Sequence, residues 1–151
     1  WVDRRAAIDV DHGGAEPLGP GDAAEVRELL DAEYPGHFFH PRVLGCGAAF
    51  GVRASGQLVA FAGVHVLSRR YRVAALGNVV TAAAHRGRGL AARACGALLV
   101  QLADQMDAVG LNVDSDNAAA KRVYERLGFT RLAPYLELVL TPRLAPVAPR
   151  G

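Results

Sequence analysis

Apolar residues recur along this chain with two different periods, and the switch between them divides it. Up to Thr81 the pattern is that of strands. Ala48–Arg53 is apolar and ends at Ser55-Gly56, a pair suited to a hairpin turn. Leu58–Val66 alternates imperfectly, as a mostly buried strand does. Val73–Thr81 follows the charged turn Arg69-Arg70-Tyr71-Arg72. Short strands with tight turns predict an antiparallel meander. Beyond Thr81 the period lengthens. Leu90, Ala94, Leu98 and Leu102 recur every fourth residue and share one helix face. Ala120, Val123, Tyr124 and Leu127 follow a second helical spacing, with Gly128 where a helix needs a left-handed terminal residue. Leu111-Asn112-Val113 predicts a short strand between the two helices, and Phe129 leads into the last strands, including Tyr135–Leu140.

The upstream part is less patterned. Ala6–Val10 reads as a short strand. Pro20-Gly21 marks a turn, and Asp22 with Glu25 three residues on gives a capping-box pattern. The helix so started turns Val26, Leu29 and Leu30 inward. Tyr34 to Pro41 is an aromatic loop bracketed by prolines, suited either to cover a substrate or to pack its rings on the core edge. The expected organisation is a flanking segment at 1–14, one domain at 15–141 and a proline-rich tail at 142–151. The element pattern predicts an α/β (α+β) fold with a mixed, mostly antiparallel sheet.

Composition narrows the function. The 151 residues carry a net charge of only +2, too small by itself to argue for nucleic acid, and no nucleic-acid partner is expected. Lys121 is the only lysine; the other cations are arginines, for the most part a compositional bias that the many alanines share, although their planar fork suits phosphate. Cys46 and Cys95 lack metal-ligand spacing and read as reduced thiols; no metal site is expected. The start, Trp1-Val2-Asp3-Arg4-Arg5, is not followed by the apolar stretch of a signal peptide, and no apolar run has transmembrane length. A cytoplasmic protein without a membrane partner is expected. A first residue Trp1 rather than Met suits a trimmed chain or part of a longer one.

The candidate chemistry lies where the period changes. Val79-Val80-Thr81 ends a strand, and Arg86-Gly87-Arg88-Gly89-Leu90-Ala91 opens the long helix. A helix N-terminus offers unpaired N–H groups and the positive end of the macrodipole, so an oxyanion placed there gains hydrogen bonds and charge complementarity together. Glycines let a diphosphate approach the main chain closely. The turn is not a P-loop, because no Gly-Lys-Ser/Thr follows. It is not a dinucleotide fingerprint, because Gly-x-Gly-x-x-Gly is absent.

These residues resemble the GNAT superfamily of N-acetyltransferases, which use acetyl-coenzyme A. The family's phosphate-binding pattern, Arg/Gln-x-x-Gly-x-Gly/Ala, is met by Arg86, Gly89 and Ala91. Its second signature, Asn-x-x-Ala-x-x-x-Tyr followed by Leu-Gly-Phe, is met by Asn117, Ala120, Tyr124 and Leu127-Gly128-Phe129. The resemblance covers about Ala15 to Leu140. It implies a central sheet whose strands before Arg86 and around Leu111 splay to admit the pantetheine arm. It implies that the backbone of Val79, Val80 and Thr81 lines that arm, that Arg86, Gly87, Arg88, Gly89, Leu90 and Ala91 hold the pyrophosphate, and that Asn117, with Ala120 in the same motif, meets the pantetheine. Tyr124 would be the general acid toward the leaving thiolate. The implied reaction is transfer of acetyl from acetyl-CoA, as co-substrate, to a primary amine on a small molecule or peptide, by a monomer or homodimer.

Two departures stand out. Val73–Thr81 contains no Asp or Glu to act as base; His65, Glu137 or water remain for that role, or the amine arrives already neutral. Ala82-Ala83-Ala84 stands where the family often has a proline, and a more flexible link is expected there. The missing carboxylate also admits a second reading, a catalytically inactive CoA-binding or sensor module of the same fold. His85 is expected to be structural or solvent-facing.

Overall fold

The computed structural model describes residues 11–134 and Leu136. Among these residues five strands lie side by side in chain order: β1 (Ala15–Pro17), β2 (Ala49–Ala54), β3 (Gln57–Ser68), β4 (Val73–Thr81) and β5 (Ala108–Leu111). The first three pairings are antiparallel and β4 pairs with β5 in parallel. Three α-helices flank the sheet: α1 (Ala23–Glu33), α2 (Leu90–Ala103) and α3 (Ala118–Arg126). This is the mixed, mostly antiparallel α/β architecture that the two periods predict. The strand at Ala6–Val10, the last strands and the proline-rich tail lie outside the described residues, apart from Leu136.

The core has one layer on each face of the sheet. On one face Ala94, Cys95, Leu98, Leu99 and Leu102 of α2 pack on Val52, Ala60, Ala62, Val64, Ala74 and Leu76, joined by Leu127 and Phe129. On the other, Val26, Leu29 and Leu30 of α1 pack with Phe39, Leu44, Leu58, Phe61 and Val80. A fully buried Leu or Phe side chain stabilises by about 1.5–3 kcal/mol, more than a surface ion pair, so these layers set the fold. Parallel β4 and β5 need a crossover, and α2 supplies it.

Several local expectations change. Asp22 does not cap α1: its carboxylate accepts from the Gly19 N–H at 2.8 Å and from Arg53 at 2.8 Å. Glu25 also pairs with Arg53 instead of closing a capping box, and Arg53 reaches Glu16 on β1 at 2.6 Å. Four charges thus tie β1, β2 and the start of α1. The fifth strand covers Ala108–Leu111, upstream of the expected Leu111–Val113. Ala15–Pro17 is a strand because β2 pairs with it, which three residues cannot announce alone. In the aromatic loop Phe39 is buried and meets Phe61 edge-on at 6.1 Å, whereas Phe38 is exposed. Both of that loop's expected uses therefore remain, one for each ring. The loop then enters a short 3-10 turn, Pro41–Cys46. Cys46 and Cys95 are both free thiols.

Candidate active site at the splayed strands

The site begins where β5 ends. The last β4–β5 pair is Leu76 with Leu111, yet β4 runs on to Thr81 beside β3 alone. The two strands part there, as the resemblance implies. A bulge sits at the same point: Phe61 pairs with Val80 and Gly63 with Gly77, leaving Asn78 and Val79 opposite Ala62. Asn78 takes φ of +54°, a left-handed conformation that asparagine tolerates better than most residues. The bulge resets the side-chain alternation. Val79 packs with the α2 layer and Val80 with the α1 layer, so these side chains belong to the core. At Val79 and Val80, therefore, what β4 offers on its unpaired side is backbone.

The chain then crosses to α2 through a tied turn. Ala82 N–H donates to the Val59 carbonyl at 2.8 Å, and a 3-10 turn spans Ala83–His85. The Ala82-Ala83-Ala84 link is thus anchored by hydrogen bonds. The Glu33 carboxylate, at the end of α1, accepts from the Ala83 N–H at 2.8 Å and from Arg86 at 2.6 Å. Arg86 Nε also donates to the Thr81 carbonyl at 3.2 Å, and Arg88 donates to the Ala84 carbonyl at 3.2 Å. Both guanidiniums therefore brace the turn, and Arg86 is charge-paired with Glu33.

Gly87 and Gly89 each take φ of +76°, which accounts for glycine at both positions. A Cβ built at either would meet nothing within 4 Å, so the space above the turn is open. Gly89 is also the N-cap of α2, and a glycine has no side chain to satisfy the first-turn N–H groups. The first turn contains no acidic residue. The mouth of α2 is thus a set of backbone donors at a positive dipole end, facing open space, and it fits a diphosphate.

The second signature lies on α3. Asn117 is its N-cap: Oδ1 accepts from the Ala120 N–H at 2.9 Å, leaving the side-chain amide N–H groups for other contacts. Ala120 is half-buried in the first turn. Tyr124 is half-buried against the α2 layer, its ring edge-on to Phe129 with centroids 5.9 Å apart. Burial, then the neighbouring Cys95 and Tyr34, push the Tyr124 phenol above its usual value. Its hydroxyl therefore stays protonated through and beyond neutral pH. Cys95 is fully buried and its thiol is pushed up to about 12, so it is not a nucleophile.

His65 lies on β3 at a second bulge, because Val64 pairs with Leu76 and Val66 with Ala75. Its ring lies over Gly77: a Cβ there would sit 2.3 Å from the imidazole. It is exposed, one strand from the splay. Glu137 lies outside the described residues. His85 is half-buried, with a buried Nδ1 that has no hydrogen-bond partner. Among the described residues no group of three His, Cys, Asp or Glu is arranged to hold a metal, and no helix is long and apolar enough to cross a membrane.

Two residues of the site fall outside both sequence motifs. Glu33 acts across a separation of 53 residues from Arg86 and could not be read locally. Asn78 stands immediately before Val79-Val80-Thr81 in a strand pattern, and its left-handed backbone is set by the pairing with β3.

Known proteins fit this geometry. The family model for the acetyltransferase (GNAT) family matches residues 20–129, well over half of the 151-residue chain. A solved GNAT-family acetyltransferase from Novosphingobium aromaticivorans is 34% identical over 81% of this chain, with a TM-score of 0.70; the match spans 54% of that protein's length. The ribosomal-protein-alanine N-acetyltransferase from Brucella melitensis shares the fold at 22% identity and a TM-score of 0.64, over 84% of this chain and 96% of that one. Diaminobutyrate acetyltransferase from Paenibacillus lautus, solved with L-2,4-diaminobutyric acid and coenzyme A, shares it at 18% identity and a TM-score of 0.61, over 74% and 71%. No curated protein sequence matches the chain. The family model, the related structure and the parted strands beside a glycine-opened helix agree: this chain belongs to the GNAT acetyltransferase family.

Proposed function

We propose that this protein transfers an acetyl group from acetyl-CoA directly to a primary amine. The observation that carries the reading is the convergence at one mouth of an uncapped helix N-terminus, open space over two left-handed glycines, and a strand whose outer edge has lost its neighbour. The backbone N–H groups from Gly87 to Ala91 hold the diphosphate. Arg86 and Arg88 keep the turn in shape and add positive potential. The backbone of Val79, Val80 and Thr81 takes the amides of the pantetheine arm, and the Asn117 side-chain N–H groups reach the same arm from α3, where Ala120 keeps the helix close. The neighbour from Paenibacillus lautus, solved with an amine substrate and coenzyme A, supports this use of the fold.

Acetyl-CoA supplies an activated thioester. The amine nitrogen forms a bond to the acetyl carbon as the carbon–sulfur bond breaks, and the electron pair leaves with sulfur. Tyr124 sits on α3 and carries its proton into that event. A thiol titrates near ~8.5 and the phenol higher, so Tyr124 serves as general acid first by a hydrogen bond to the developing negative sulfur. The amine must lose a proton, and β4 has no carboxylate to take it. His65, held over Gly77 beside the splay, or water fills that role.

The missing carboxylate is also the one observation favouring the second reading, a coenzyme-binding module without catalysis. A panel of primary amines (peptide N-termini, lysine peptides, diamines, amino sugars) with detection of released thiol separates the two. Turnover on one class supports the enzyme. Coenzyme A binding with no turnover on any class supports the module.

A further inference from the structure

We infer that Asn78 is a ligand-binding residue whose side-chain oxygen accepts an N–H from whatever occupies the gap between β4 and β5. The inference rests on the proposed coenzyme site and adds to it a side chain that neither signature motif contains. Asn78 is the single buried polar residue of the described core, 5% exposed, and its Oδ1 is buried with no hydrogen-bond partner. A buried amide oxygen left unpaired is costly, and such groups in folded proteins call for an explanation. The backbone supplies only half of one. The bulge demands a left-handed residue, φ +54°, and asparagine meets that demand. Glycine would meet it at lower cost and bury no unpaired amide. The choice of asparagine is therefore accounted for by a partner that is part of the working complex.

Position identifies the kind of partner. Asn78 is two residues beyond Leu76, where the β4–β5 ladder ends, and immediately before Val79, where β4 runs on without β5. An acceptor oxygen at that point suits an N–H donor. Two such donors arrive in the proposed reaction: an amide of the pantetheine arm, and the incoming amine. The shared chemistry is a hydrogen bond from ligand N–H to Oδ1, and the test distinguishes the sources.

The experiment uses the full chain and two variants, Asn78→Gly and Asn78→Asp. Glycine keeps the left-handed backbone and removes the acceptor. Aspartate keeps the shape, tolerates the conformation, and offers an oxygen acceptor in either charge state. Coenzyme A affinity is read by calorimetry, and KM and kcat with the most active amine of the panel. The expected result is a folded Asn78→Gly that melts no lower than the parent and loses about tenfold in one of the two affinities, with Asn78→Asp losing less. A loss in coenzyme A affinity assigns the pantetheine amide. An unchanged coenzyme A affinity with a raised KM for the amine assigns the acceptor. If Asn78→Gly matches the parent in both, the asparagine serves only the bulge and the inference is overturned. A parent protein that binds no coenzyme A would instead overturn the proposed function.

Discussion

Glu33 fastens the phosphate turn to α1 although it lies far from it in sequence. Its carboxylate takes the Ala83 N–H at 2.8 Å and Arg86 at 2.6 Å, with 17% of its side chain exposed and 60% of the arginine's. A hydrogen bond from a backbone N–H to a carboxylate contributes about 1.5–3 kcal/mol. The ion pair, screened on the arginine side, adds at most about 1 kcal/mol. Glu33→Ala should therefore cost about 1.5–4 kcal/mol, or roughly 3–16 °C in Tm for a domain of this size. The freed turn must also be reordered when the coenzyme binds, which weakens affinity about three- to tenfold. Glu33→Gln keeps an oxygen for the Ala83 N–H and loses only the charge pairing, so its loss should be the smaller on both scales. Thermal melting followed by calorimetry with coenzyme A reads both effects. A Glu33→Ala protein with the parent's Tm and the parent's affinity would refute the claim that this carboxylate shapes the turn.

Further outcomes follow from other parts of the structure. Tyr124→Phe should lower kcat about 100-fold with little change in coenzyme A affinity, measured by thiol release. The Tyr124 phenol is raised by burial, so its folded value lies above its unfolded value near ~10. The associated stability is fully present below pH ~10 and is lost as pH rises through the folded value, a dependence that Tyr124→Phe should remove from alkaline melting curves. Arg53→Met should lower stability by about 1–2 kcal/mol, since one guanidinium, 24% exposed, holds Glu16, Asp22 and Glu25 together. Its coenzyme A affinity should match the parent's, because that network lies away from the turn.

The sequence announced those parts of the fold whose signal is local. β4 was legible residue for residue as Val73–Thr81, and the inward faces of all three α-helices follow from apolar spacing. Gly128 takes φ of +86°, as its place after α3 demands. The two left-handed glycines before α2 were marked by their own identity. What the sequence concealed depends on distant partners. Ala15–Pro17 is extended because β2 is beside it. Asp22 and Glu25 satisfy a capping pattern on paper, but Arg53 on β2 draws both carboxylates to itself. Arg86 fits a phosphate motif by type and place, yet its guanidinium is held by Glu33. The resemblance makes Asn117 a pantetheine contact, and the structure adds that its oxygen is engaged in capping α3. Asn78 was silent because a bulge in mid-strand is set by the register of two strands, not by one.

The central claim is that backbone donors at the mouth of α2 grip the coenzyme's diphosphate. Gly89→Asp places a carboxylate at that mouth, where it would satisfy the free N–H groups and repel the phosphates. Calorimetry with coenzyme A on a variant shown by circular dichroism to be folded is the direct measurement. The account predicts a loss of affinity of tenfold or about one hundredfold; coenzyme A binding to the folded variant as tightly as to the parent would contradict it.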